Sequence, residues 1–262
     1  MTALSRLESF AREAELALDA TAIDRLALYR ELLLAATLQF NLTHITDTVE
    51  FEQRMLIESL ALLALVPEDA ATLLDVGSGG GVPGLPIAIA RPGTRVVLLD
   101  ATAKKVAFLA EASAALGLDN VTALQGRAEE LARDPAHRDR YDVVTARAVA
   151  RLPVLAELVL PFVALGGIAI LPKGADIAEE FVEARYAIRM LRGRERPVNT
   201  RLIEGSSVVA IDKRGSTPAQ FPRRTGVPSK HPLRGPADRG LADCAISTSE
   251  STNSADAPSR NR

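Results

Sequence analysis

The run Asp75-Val-Gly77-Ser-Gly79-Gly-Gly81-Val-Pro-Gly84 holds the densest chemistry in this 262-residue sequence. Apolar Leu73, Leu74 and Val76 lead into it as the end of a strand would. Its glycines permit positive φ and a close ligand approach that side chains would block. Pro83 and Pro86 stand where a helix would begin, a place that tolerates proline. The pattern predicts a nucleotide-like ligand at the carboxyl end of a first strand. Asp100 ends the next apolar run, where a carboxylate can accept hydrogen bonds from ribose hydroxyls.

Two ligand classes fit such a loop. Gly79-x-Gly81-x-x-Gly84 matches the dinucleotide fingerprint, which would make the protein a nicotinamide-dependent oxidoreductase. Asp75 argues the other way, because its charge would repel a pyrophosphate but suits an ammonium group or a cationic ligand. S-adenosyl-L-methionine has no phosphate and carries a sulfonium, so it is the favoured cofactor, with S-adenosyl-L-homocysteine as its product. The plainest alternative is a tight strand–helix turn with no ligand.

Two further strand ends point at the same place. Gly126-Arg127-Ala128-Glu129 offers backbone and a carboxylate to an adenine edge, although Glu129 alone would also suit a solvated helix start. Ala146-Arg147-Ala148 faces the ligand's reactive end if the strand order reverses beside the first strand. An arginine directly after a buried strand needs a partner, and phosphate is a common one.

The elements that must position these residues follow from periodicity. Residues 1–66 read as helical: Leu4, Leu7, Ala11 and Ala14 share one helix face, and Leu26, Tyr29, Leu33 and Ala36 another. Asp47 and Glu50 have capping-box spacing and open a third helix running to about Val66. Strands are expected at Thr72–Val76, Arg95–Asp100, Val121–Gln125, Tyr141–Thr145, Gly167–Leu171 and Ser207–Ile211. The first four are separated by stretches long enough for crossover helices. Their continuous apolarity predicts cover on both faces, hence an α/β fold with a doubly wound, mostly parallel sheet over 67–212. Lys213 to Arg234 holds six cations, four prolines and no acid, and reads as a basic extended strap over 213–234. Residues 235–262 are too polar to bury a core and are expected to be disordered.

Composition narrows the classes. Hydrophobic residues make up 47% and charged residues 24%, with a formal net charge of −2, so nucleic-acid contact must come from locally placed cations. One cysteine, Cys244, allows no intrachain disulfide and fits a reducing compartment. The acidic N-terminus lacks a signal-like apolar core, and the longest apolar run, Leu158 to Pro172, is interrupted by Pro161, Gly166 and Gly167. A cytoplasmic protein without a membrane span is the expectation. His44, His137 and His231 are scattered, and no metal-ligand spacing is present, so no metal is expected.

Taken together, the motifs resemble the small-subunit ribosomal RNA guanine-N7 methyltransferases, also called the glucose-inhibited division protein B family. The resemblance runs from about Phe40 to Leu233 and is carried by Asn41-Leu-Thr43, the loop from Asp75 to Pro86, and Leu99-Asp-Ala-Thr-Ala-Lys-Lys-Val-Ala-Phe108. It continues through Gly126 to Glu129, Ala146 to Val149, Pro172-Lys-Gly174 and Thr217 to Leu233. It implies a Rossmann-like methyltransferase domain with an N-terminal helical addition, acting on N7 of one guanine in 16S rRNA. It also implies cofactor contacts at Gly77, Val82, Asp100, Ala101, Thr102, Ala128, Glu129 and Arg147. Similar sequences carry Arg-His where this chain has Arg54-Met55, and some carry Arg-His where it has Gly205-Ser206.

N7 is a bare ring acceptor with no proton to lose, so its methylation needs positioning rather than a general base. Arg147 and Asn41 are the residues expected to do that positioning. Asn41 would either hydrogen-bond a base or cap the turn after the second helix. Lys104, Lys105, Arg127 and Lys173 are expected to converge as a positive rim, joined from the strap by Arg223 and Arg224. Phe221 would either stack on a base or dock the strap onto the domain. The expected partner is 16S rRNA or the 30S subunit, met by a monomer. An RNA-binding assembly factor that keeps a cofactor pocket without turnover is the non-enzyme alternative.

Overall fold

The computed structural model describes residues 4–174, 177–198 and 206–235. Seven strands form one sheet in the order β3-β2-β1-β4-β5-β7-β6. They are β1 (Thr72–Val76), β2 (Arg95–Asp100), β3 (Val121–Gln125), β4 (Tyr141–Thr145), β5 (Val163–Gly174), β6 (Gly193–Arg196) and β7 (Ser206–Lys213). The first five pair in parallel, whereas β7 runs antiparallel to both β5 and β6. The chain builds outward from β1 to β3 and then returns to place β4 on the other side of β1. The carboxyl ends of β1 and β4 therefore diverge into a crevice, the usual ligand position in a doubly wound sheet.

The apolar runs are continuous because both faces are covered. Leu73 and Leu98 belong to one core cluster, whereas their neighbours Leu74 and Leu99 belong to the other. Helices α5 (Gly84–Ala90) and α6 (Ala103–Ala115) connect β1 to β2 and β2 to β3, α7 (Ala128–Leu131) follows β3, and α8 (Leu152–Val159) and α9 (Ala178–Met190) flank β5.

The N-terminal helices close the first face. In α1 (Ser5–Glu13) and α2 (Ala20–Thr37), Leu7, Leu26, Tyr29 and Leu33 are fully buried, whereas Ala14 is exposed past the end of α1. Asp19 caps α2 by accepting from Ala22 N at 2.7 Å. Asp47 caps the next helix by accepting from Val49 N and Glu50 N at 3.0 and 2.9 Å. That helix is composite, which the single expected span to Val66 does not capture. It starts as α3 (Thr48–Phe51), widens into a π-helical stretch (Glu52–Ile57), narrows to α4 (Glu58–Ala61) and ends in a 3-10 turn (Leu62–Ala64). Buried Glu52 on the wide turn accepts from Leu7 N at 2.6 Å, satisfying one of the free amides at the start of α1.

Beyond β7 the chain stays on the domain. Phe221 is 5% exposed in the second core cluster. Arg138 donates to Thr217 O and Phe221 O at 2.8 and 2.9 Å, and Arg223 grips Glu157 with Nη2 to Oε2 at 2.6 Å. A short helix, α10 (Val227–Lys230), follows. Lys213 is also turned inward, its Nζ donating to Asp139 at 3.0 Å, to Thr217 Oγ1 at 2.6 Å and to Leu160 O. Residues 236–262, expected to be disordered, and Gly205 lie outside the described residues.

Candidate functional site

The glycine loop between β1 and α5 is held from four sides. Gly77 N and Ser78 N both donate to Leu99 O, at 2.7 and 3.0 Å. Ser78 Oγ donates to Asp75 O at 2.8 Å, and Gly79 N to Asp100 Oδ2 at 3.0 Å. From the N-terminal helices, Tyr29 Oη donates to Gly80 O at 2.7 Å. Tyr29 is thus a site-building residue, although in the sequence it reads only as part of the apolar face with Leu26 and Leu33.

Two glycines are required for distinct reasons. Gly79 holds φ +56°, and a Cβ there would find nothing nearer than Gly77 O at 3.8 Å, so its open side faces the crevice. Gly77 holds φ +71°, and its Cβ would lie 2.6 Å from Val149 Cγ2. Val149 therefore closes over the loop from the β4 side.

Asp75 lies beneath the loop, fully buried. Its Oδ1 accepts from Thr145 Oγ1 at 2.9 Å and its Oδ2 from Gly84 N at 3.3 Å. Burial raises its pKa to about 6, with Thr145, Ser78 and Gly84 pulling the other way and Asp100 adding to the rise. The carboxylate that the sequence offers to a cationic ligand thus serves first to tie β1, the loop and β4 together.

Asp100 is 7% exposed and spends one hydrogen bond on each oxygen, Oδ2 on Gly79 N and Oδ1 on Thr102 N at 2.9 Å. Each carboxylate oxygen can accept a second hydrogen bond, so both keep capacity for a hydroxyl. Three adjoining cavities lie along this rim. A narrow one of about 80 Å³ gathers Gly77, Asp100, Ala101, Ala128, Glu129 and Val149. A cleft of about 480 Å³ continues past Gly79, Val82, Lys105 and Arg147 under the loop that carries Leu42 to Ile45. A third, of about 590 Å³, shares Arg54, Arg147 and Ala148 with the second and adds Glu58, Lys173 and Ser206. The structure therefore brings together most of the cofactor positions expected from the sequence. Exposed Thr102 contributes its backbone to Asp100.

Arg147 stands where the second and third cavities meet. Its Nη2 lies 3.4 Å from Glu58 Oε2, and its Nη1 donates to Arg54 O on the π-helical stretch. The next residue, Ala148, holds φ +55°, a costly backbone for a residue with a Cβ. No local spacing in the sequence marks Glu58. It sits in an apolar run between Ile57 and Leu60, and only the approach of β4 reveals its role.

Glu129 is 2% exposed. Burial alone would raise its pKa, but hydrogen bonds from Gly226 N at 3.0 Å and from Arg127 at 3.3 Å outweigh it and hold the carboxyl below its usual range. The strap thereby reaches the rim of the narrow cavity.

The expected cations separate. Lys105 and Lys173 line the second and third cavities, while Lys104 and Arg224 are exposed. Lys173 is engaged by Glu180 at 2.8 Å and Ala150 O at 3.0 Å. Arg127 pairs with Glu129, and Arg223 faces inward onto Glu157, so neither contributes an uncommitted charge. Asn41 is exposed on the loop, one residue before the cleft lining begins. No group of three or more His, Cys, Asp or Glu among the described residues could hold a metal ion.

A family model described as rRNA small subunit methyltransferase G matches residues 22–206. The chain belongs to that family. A relative from Pelotomaculum thermopropionicum, named ribosomal RNA small subunit methyltransferase G, is 42% identical over 228 residues, 85% of this chain and 95% of the relative. Among solved structures, a SAM dependent methyltransferase from Aquifex aeolicus superposes with TM-score 0.50 at 17% identity, covering 64% of this chain and 94% of that one. An O-methyltransferase from Bacillus cereus in complex with SAH gives TM-score 0.52 at 16% identity over 79% of this chain and 96% of that one. The fold is the Rossmann-like one of S-adenosylmethionine-dependent methyltransferases.

Proposed function

We propose that the protein transfers the methyl group of S-adenosylmethionine to N7 of a guanine in 16S rRNA. The observation that carries this reading is the row of three adjoining cavities with Arg147 at the inner junction. The residues present fit the cofactor. Asp100 keeps acceptor capacity for two ribose hydroxyls, Ala101, Ala128 and Glu129 frame a slot for the base, and the open face of Gly79 lets the remainder lie against backbone. When bound there, S-adenosylmethionine supplies a methyl on a sulfonium sulfur; N7 takes the methyl, the carbon–sulfur pair stays on sulfur, and no proton has to leave.

The protein's work is therefore orientation and exclusion of water. Arg147, anchored twice to the π-helical segment and α4, is rigid enough to hold a base in line. Lys105 supplies a phosphate contact at the mouth, exposed Lys104 and Arg224 supply others further out, and Asn41 stands where a flanking nucleotide would pass. The partner is 16S rRNA, alone or within the 30S particle, met by a monomer in the cytoplasm. No described helix is long and apolar enough to cross a membrane. The test is transfer of labelled methyl from S-adenosylmethionine to 30S particles and to extracted 16S rRNA, with the modified base mapped. Absence of label in either substrate, from protein that binds the cofactor, would refute the proposal.

A further inference from the structure

Among the described residues, the 590 Å³ cavity beside Arg147 has a single acid in its lining, Glu58, among three cations, Arg54, Arg147 and Lys173. Glu58 is 7% exposed, so its charge is held where water competes weakly. One oxygen accepts from Ser206 Oγ at 3.2 Å, and the other meets Arg147 at 3.4 Å. A carboxylate has about four acceptor sites, so roughly two remain for a ligand.

We propose that Glu58 reads the Watson–Crick edge of the target guanine, making this cavity the base subsite of the proposed methyltransferase. The inference rests on that functional reading and names the residue that selects its substrate. Guanine presents two adjacent donors on that edge, N1–H and the 2-amino group, a match for a carboxylate. Adenine presents a bare N1 acceptor there, which the same carboxylate repels, and it lacks the 2-amino donor. With N1–H and the 2-amino group on Glu58, O6 lies next to N1 and the adjoining Hoogsteen edge, which carries N7, turns toward the shared wall with the second cavity. Arg147 lies on that wall and can donate to O6, leaving the N7 lone pair open toward the Gly79 side.

The same carboxylate has an electrostatic role. Methylation at N7 leaves the purine ring cationic, with no proton released. A fixed negative charge on the far edge of the ring stabilises that developing charge, while Arg147 alone would oppose it. Ser206, at the start of β7, fixes the Glu58 rotamer from the side opposite Arg147.

The experiment compares GMP, AMP and 7-methyl-GMP binding to the full chain saturated with S-adenosylhomocysteine, by calorimetry or ligand-observed NMR at millimolar nucleotide. The wild type is expected to favour GMP over AMP by about ten-fold or more, as two charge-assisted hydrogen bonds imply. Glu58→Gln should erase most of that preference, and most of any extra affinity for cationic 7-methyl-GMP, while S-adenosylhomocysteine still binds. Should Glu58→Gln fold poorly, Ser206→Phe, which fills the cavity from β7, should abolish GMP binding and keep S-adenosylhomocysteine binding. Equal binding of GMP and AMP by the wild type, no binding of either, or a preference unchanged in both variants would overturn the inference. If those results came with intact methyl transfer to 30S particles, the base subsite would be wrong and the functional reading would stand. Failure to bind S-adenosylhomocysteine at all would sink the functional reading instead.

Discussion

The hydroxyl of Tyr29, on the second N-terminal helix, donates 2.7 Å to the backbone carbonyl of Gly80 at the crown of the glycine loop. The helical addition therefore helps to hold the glycine loop and is more than a cover on the sheet. Leu33, one turn further along α2, reinforces it, since its Cδ1 lies 2.8 Å from where a Cβ on Gly80 would stand. Tyr29→Phe removes the only polar atom of a fully buried ring and leaves a buried carbonyl without that donor. The expected cost is about 1–2 kcal/mol of stability. A several-fold loss of S-adenosylhomocysteine affinity should accompany it, because the loop loses its outer anchor. Denaturant melts and calorimetry read both, and unchanged affinity would mean that the loop is held well enough by Leu99 and Asp100.

Gly79 and Gly84 should respond to alanine for different reasons. A methyl at Gly84 would lie 2.3 Å from Leu98 Cδ2 and 3.0 Å from Asp75 Oδ2, inside the packed base of the loop. Gly84→Ala should therefore destabilise by about 1–3 kcal/mol, the range for overpacking. A methyl at Gly79 meets no atom but must accept φ +56°, at about 1–2 kcal/mol, and it projects into the crevice. Gly79→Ala should lose cofactor affinity out of proportion to its melting temperature. A Gly79→Ala protein with wild-type affinity would show that the ligand lies elsewhere.

Much of this was legible in the sequence, for identifiable reasons. The bounds of β1, β2 and β4 follow the apolar runs because those strands are mostly buried, whereas β3, half-buried at the sheet edge, is marked off by Asn120 before it and Gly126 after it. β6, reading Gly-Arg-Glu-Arg, has no apolar signal because it is an edge strand in contact with solvent. β7 extends past Ser207–Ile211 through polar ends, Ser206 opposite Gly174 and Asp212 opposite Ile168, and β5 extends past Gly167–Leu171 both through Lys173 and, across Gly166, back to Val163. Within the site, Asp100 and the glycines declare themselves by local spacing. Glu58 and Glu157 do not, because each is a carboxylate inside an apolar helix whose partner, Arg147 or Arg223, arrives from far along the chain.

Asp75 should leave a pH signature on stability. Its carboxyl is raised by burial to about 6 from the ordinary 3.8. The folded protein then holds a proton that the unfolded chain has released, so this group's contribution is fully present below about pH 4 and is lost as pH rises through about 6. Asp75→Asn is neutral throughout. Its amide oxygen can still accept from Gly84 N, and its NH₂ can donate to Thr145 Oγ1 once that hydroxyl turns. The variant should be more stable than the wild type at pH 8 by at most about 3 kcal/mol, a margin that shrinks as the pH falls toward 4. Melting curves across that range decide it. A variant less stable at every pH would mean that the loop needs the charge.

The strap after β7 carries the last prediction, because its cations divide between structure and solvent. Arg223 is spent on Glu157, whose side chain is wholly buried, through Nη2 to Oε2 at 2.6 Å and Nε to Oε1 at 2.9 Å. Removing the guanidinium strands a buried carboxylate with only the Arg223 amide, at 2.8 Å, for company. Arg223→Leu should therefore cost about 3 kcal/mol or more in stability. It should also loosen Gly226 from Glu129 at the rim of the narrow cavity, weakening cofactor binding. Arg224 and Lys230 are exposed and point a different test. Arg224→Gln with Lys230→Gln should leave the melting temperature and cofactor affinity alone while reducing the slope of log affinity for 30S particles against log salt by roughly 1–2. Truncation after Asp212 combines both effects and removes buried Lys213 and Phe221 as well, so it should unfold the domain rather than merely weaken RNA binding. If Arg223→Leu kept full stability and flattened the salt dependence instead, the inward arginine would be an RNA contact after all. If the double glutamine variant left the slope untouched, the strap would be structural throughout.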